Sequence, residues 1–108
     1  MTDQDNKPIQ QPLPMSVRQD FTMRVSRSSN VHKLASAICA ALNTHMRVTL
    51  NMLGSGPTQQ AMKAWTVACG FMRQKGYDVI GRPAMEDEVC DDGKVVTVLR
   101  VCLEKKRI

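Results

Sequence analysis

Apolar and polar residues alternate along Phe21–Ser26 (FTMRVS), with Phe21, Met23 and Val25 on one side and Thr22, Arg24 and Ser26 on the other. A two-residue period marks a half-buried strand. From Val31 to Asn43 the period lengthens. Val31, Leu34, Ala35, Ile38 and Leu42 recur at helical spacing, and Ser28 or Ser29 stands where an N-cap belongs. Ala37, Ala40 and Ala41 widen this apolar surface with small side chains that permit close packing. Alternation returns over Met46–Met52, with Arg47, Thr49 and Asn51 outward. Gly54-Ser55-Gly56 then reverses the chain, and Pro57 suits a first helical turn. Ala61, Met62, Trp65, Ala68, Cys69 and Met72 form the apolar face of a second helix that ends near Lys75-Gly76. Tyr77–Arg82 opens a third strand. Pro83 calls for an edge or a bulge, and the strand resumes through Ala84–Val89. Asp91-Asp92-Gly93 is a hairpin turn, and Val95–Glu104, with Val on both faces, reads as a central strand buried on both sides.

The predicted order is β-α-β-α-β-β. That is an α+β chain: a single domain over residues 21–108 with a four-stranded mixed sheet. Two helices are too few to cover both faces, so they lie on one. Each crossover between parallel strands is expected to be right-handed. Residues 1–20 read as a flexible N-terminal tail, rich in Gln, Asp, Asn and Pro, whose Ile9, Leu13, Met15 and Val17 could anchor it on a partner.

Composition excludes more than it identifies. No apolar run reaches the roughly 20 residues of a membrane span, and no secretory core segment opens the chain. Cys39, Cys69, Cys90 and Cys102 are far apart, which favours reduced thiols and no metal site. The expected location is cytoplasmic, or within a nucleoid, nuclear or cytoskeletal assembly.

Charge changes the picture further. The net +5 conceals an acidic stretch, Glu86–Lys94, with five carboxylates against one Lys. Phe21–Met85 and Val95–Ile108 together carry twelve Lys and Arg against Asp78 and Glu104. Such segregation favours a polyanionic partner, DNA or RNA. The glycine turn feeding a helix N-terminus serves as a tight reversal, an anion cradle or both; it lacks the G-K-[ST] ending of a P-loop. His32 and His45 stand alone, and the carboxylates lack a partner base. No enzymatic activity and no cofactor are expected.

Three stretches resemble one family. Val25-Ser26-Arg27-Ser28-Ser29 is similar to a strand-end turn of the stage V sporulation protein S family, within the Alba superfamily. Leu53-Gly54-Ser55-Gly56, Gln60-Ala61-Met62-Lys63-Ala64 and Ala68-Cys69-Gly70-Phe71 are similar to its turn and helix. Tyr77-Asp78-Val79-Ile80 through Pro83-Ala84 to Asp92-Gly93 is similar to its hairpin. The resemblance implies a homodimeric Alba-like domain that binds DNA or RNA, a fold shared with the C-terminal domain of translation initiation factor three. One departure stands out. Archaeal Alba proteins carry a basic arm where this chain has the acidic hairpin 86–92, which phosphates would repel.

Two functions follow as expectations. In the first, a non-catalytic dimer contacts nucleic acid through Arg24, Arg27, Ser28, Lys33, Lys63 and Arg82, with Gly54, Ser55 and Gly56, and with Arg73 and Lys75 further along. In the second, the domain is a scaffold subunit of a larger protein assembly, held by tail 1–20, with hairpin 86–92 docking a basic partner.

Overall fold

In the computed structural model, residues 18–108 are described; the expected tail lies, through residue 17, outside them. The elements are β1 (Arg18–Val25), α1 (Val31–Thr44), β2 (His45–Met52), α2 (Ser55–Arg73), β3 (Tyr77–Val89) and β4 (Val95–Arg107). The expected α+β order holds. The four strands form one sheet in the order β1-β2-β4-β3. β1 and β2 are parallel, and β4 is antiparallel to both its neighbours. β3 therefore runs parallel to β2, and both helices are crossovers between parallel strands.

The alternation in the sequence becomes the two faces of this sheet. Met23 pairs with Leu50 and Leu50 with Val101, while Phe21 pairs with Val48 and Val48 with Leu103. These rows face the helices. Ala35, Ile38, Cys39 and Leu42 of α1 and Ala61, Ala64, Ala68 and Met72 of α2 complete one core. Small side chains on α2 let it lie close to the sheet. At Gly81 there is no room for more: a Cβ would stand 2.6 Å from the Trp65 ring. Trp65 donates its indole N–H to the Val79 carbonyl at 2.9 Å, so its polar atom is satisfied within the packing.

Several expectations are corrected. β1 starts at Arg18, before the alternating run, because the ladder with β2 continues to Arg18–His45 and an Arg47–Asp20 ion pair at 2.7 Å bridges it. The N-cap of α1 is Asn30, whose Oδ1 accepts from Lys33 N–H at 2.9 Å; Ser28 and Ser29 are spent in a turn with Ser26. Met62 is exposed and Ala64 takes the buried position. Of the edge or bulge expected at Pro83, the edge is what forms: β3 is an unbroken edge strand whose register passes through Pro83–Val101. An edge strand has no outer ladder, so Pro83 leaves no bond unmade. β4 is central but covered on one face only, because both helices pack on the same side. Val98 is nevertheless buried on the other face, where the hairpin meets the end of β2.

Candidate nucleic-acid interface

β2 leaves the sheet at Met52 and enters α2 through Leu53 and Gly54, whose φ of 93° only glycine tolerates well. Gly54 is the N-cap and has no side chain to offer. Thr58 N–H makes the first helical bond, to the Gly54 carbonyl, and Pro57 has no N–H. The amides of Ser55 and Gly56 are left without an intrahelical acceptor. Gly56 is needed for a different reason from Gly54. A Cβ there would sit 2.7 Å from the Cβ of Arg27. The turn after β1 thus lies directly on the first turn of α2. Gln60 Nε2 secures the junction by donating to the Ser29 carbonyl at 2.7 Å.

This contact gathers most of the expected site. Arg27, Ser28, Gly54, Ser55 and Gly56 share one end of the domain. Lys33, on the first turn of α1, flanks them. Gly56, Gln60 and Lys63 occupy one stripe of α2, so Lys63 stands about 10 Å up the helix from Gly56. Arg27, Ser28, Lys33 and Lys63 are exposed. Arg24 ends β1 at the same corner but belongs to the uncovered sheet face, in a row with Asn51 and Arg100. Arg82 is not part of the group: it lies on edge strand β3, in the row of Cys102. Arg73 and Lys75 are about 25 Å away along α2, and Arg73 is paired with Asp78 at 3.1 Å.

The acidic hairpin rises from the same end. β2 stops pairing at Met52–Leu99, so Glu86–Val89 and Val95–Val98 continue as a two-stranded arm. The turn closes through Gly93, φ 86°, with Lys94 N–H donating to Asp92 Oδ1 at 3.0 Å. The carboxylates are not idle. Arg100 donates to Glu88 at 2.7 Å and pairs with Glu86, while its Nε donates to Asn51 Oδ1 at 3.0 Å. Thr97 donates to Asp87 at 2.9 Å. Arg100 was visible in the sequence only as one positive charge among many; no local pattern places it opposite Asn51, because that takes the β2–β4 register. Gln60 was legible at helical spacing from Gly56 and Lys63.

On the helix side of the arm an apolar groove of about 260 Å³ runs between α2 and the β3–β4 ladder, bordered by Met62, Trp65, Pro83 and Leu99. Beyond it Met85 and Val89 are 70% and 73% exposed. No three His, Cys, Asp or Glu side chains converge to hold a metal among the described residues, and none of their helices is long and apolar enough to cross a membrane. His45 is a helix-end residue whose Nδ1 lies 3.1 Å from the Ala41 carbonyl. Burial pushes the Cys39 thiol above its ordinary value, which keeps it protonated and inert.

Comparison with known proteins agrees with this architecture. The family profile described as stage V sporulation protein S (SpoVS) matches residues 21–106. Among solved structures, the chain is similar to Alba from Thermoplasma volcanium, with a TM-score of 0.54 and 11% identity, over 80% of this chain and 99% of that one. At that identity the likeness concerns the fold.

Proposed function

The chain belongs to the stage V sporulation protein S family, and on that footing we propose that it is a non-catalytic, dimeric nucleic-acid-binding domain of Alba type. The observation that carries the proposal is the packing of the Arg27 turn on Gly56. It sets exposed Arg27, Ser28, Lys33 and Lys63 around the unpaired amides of an α-helix N-terminus. Cations, hydroxyls and backbone N–H groups on one convex corner suit phosphate oxygens, which need donors and positive potential. Arg100 offsets part of the acidic arm's charge by pairing with both Glu86 and Glu88. The test is affinity for DNA and RNA as a function of salt. Binding should fall steeply, with a log–log slope of about −3 on duplex for the three phosphates that Arg27, Lys33 and Lys63 would neutralise. Arg27→Glu with Lys63→Glu should abolish it; unchanged affinity would end this reading.

Dimerisation is the second half of the proposal. Met62 borders the groove, and Met85, Val89 and Val95 are exposed on the same face of the β3–β4 ladder; exposed apolar side chains gathered on one face suit an interface. A second copy would cover it, at about 800 Å² per partner for a stable interface. Met62→Asp with Met85→Asp should give a monomer by light scattering while the fold persists. A dimer that survives both changes would place the interface elsewhere.

A further inference from the structure

The arm and the strand ends enclose a second cleft, on the uncovered face of the sheet. It exists because β2 turns away at Met52 while β4 continues, which leaves Val95–Val98 paired to β3 alone. The cleft holds about 280 Å³. Its walls are aliphatic, from Met52, Leu53, Val96 and Val98; its rim is polar, from Arg24, Asn51 and Glu88.

The rim groups are oriented. An arginine only donates, so the Asn51 atom facing Arg100 Nε at 3.0 Å is the amide oxygen. The Asn51 amino group is turned away from Arg100 and is left to donate. Glu88 gives Oε2 to Arg100 at 2.7 Å, which leaves Oε1 to accept. Arg24 makes no ion pair among the described residues and leads, three residues on, to Arg27.

The geometry points to a pocket for one unpaired nucleobase. The base enters between the aliphatic walls, its edge meets the Asn51 donor and the Glu88 acceptor, and Arg24 holds the adjoining phosphate. Every base edge carries both a donor and an acceptor, so the rim reads a base as a base rather than one letter. A duplex has no base to give without breaking a pair. The pocket therefore assigns single-stranded nucleic acid as the preferred partner. This inference rests on the nucleic-acid-binding reading above and narrows it.

The test compares one mixed-sequence oligonucleotide, single-stranded and annealed to its complement, by fluorescence anisotropy at fixed salt. The single strand should bind about tenfold tighter, as burial of roughly 55 Å² of apolar surface between the aliphatic walls would give. Val96→Trp, which fills the cleft from one wall, should remove that preference and leave duplex affinity unchanged. Asn51→Ala should act in the same direction by about threefold, and it adds no bulk that could disturb folding. Equal affinity for both forms in the native protein would overturn the pocket, as would variants that weaken both forms alike. In that case salt-dependent binding that is lost in Arg27→Glu with Lys63→Glu would still support the broader reading. Absence of salt-dependent binding to either form would end both.

Discussion

Two polar regions share one end of this domain, and they differ in what their charges already touch. Around the junction of the β1 turn with α2, the cations are exposed, and the packing that assembles them uses backbone and uncharged groups: Gly56, the Ser29 carbonyl and Gln60. In the arm, Glu86 and Glu88 are paired with Arg100, Asp87 accepts from Thr97 and Asp92 accepts from the Lys94 N–H within the fold. Charge counted along the chain makes the arm the more conspicuous feature. Charge counted after internal pairing makes the junction the more available one. A side chain already paired has given up part of the energy a ligand would need to gain from it, since a partner must first displace an existing bond.

Sharp tests of this contrast come from residues that hold each region together. The largest effect is expected at Gly56. Gly56→Val would force the two turns apart against Arg27, costing about 3 kcal/mol of stability by chemical denaturation, the upper end for an overpacked site. Nucleic-acid affinity should fall with it, because the corner separates. Arg100→Ala comes next. It leaves Glu86 and Glu88 facing each other without a cation, and about 1 to 2 kcal/mol should be lost. Hydrogen exchange of the arm amides should quicken while the junction stays protected. Arg27→Ala should show the opposite behaviour, with stability within about 0.5 kcal/mol of the parent and weakened binding. Asn30→Ala, which removes the α1 cap beside Lys33, should cost about 1 kcal/mol without touching the arm.

The smallest effect concerns pH. The folded Cys39 thiol titrates above its ordinary value because burial disfavours the thiolate. Below the ordinary value of 9.0 it is protonated in both the folded and unfolded chains and adds no pH dependence. Above it the unfolded chain loses the proton first, so stability declines as pH rises. Cys39→Ser should flatten that alkaline decline, as read by thermal melts at pH 8 and pH 10; an unchanged difference would remove Cys39 as the cause.

The legible part of this fold is the part written in periodicity. Strands β2 and β4, helix α2 from its Gly-Pro start, the Gly76 turn that follows it, and the Asp91-Asp92-Gly93 turn all follow from residue type and spacing. The start of β1 was not legible, because Arg18-Gln19-Asp20 has no apolar alternation and is held by pairing with β2. The choice of Asn30 over Ser28 and Ser29 as cap was not legible either. All three are good caps, and the Ser26 turn decided among them. Met62 sits at core spacing yet faces out, since the helix rotation is set by Gly56 on Arg27 and Trp65 against Gly81, both contacts between distant parts of the chain.

By itself, then, the chain determined its element order, its one-sided core and the segregation of its charge, because these depend on neighbours within about a turn or a strand. Tertiary structure alone decided which charges remain available. Arg27 comes onto the corner below Lys63 because a glycine lets two turns touch, and Arg82 is left out because it lies on an edge strand away from them. Arg100 finds Glu86 and Glu88 across a hairpin and Asn51 across a strand pair whose register no local pattern encodes. Such juxtapositions are properties of the packed sheet, where residues half the chain apart come within hydrogen-bond distance.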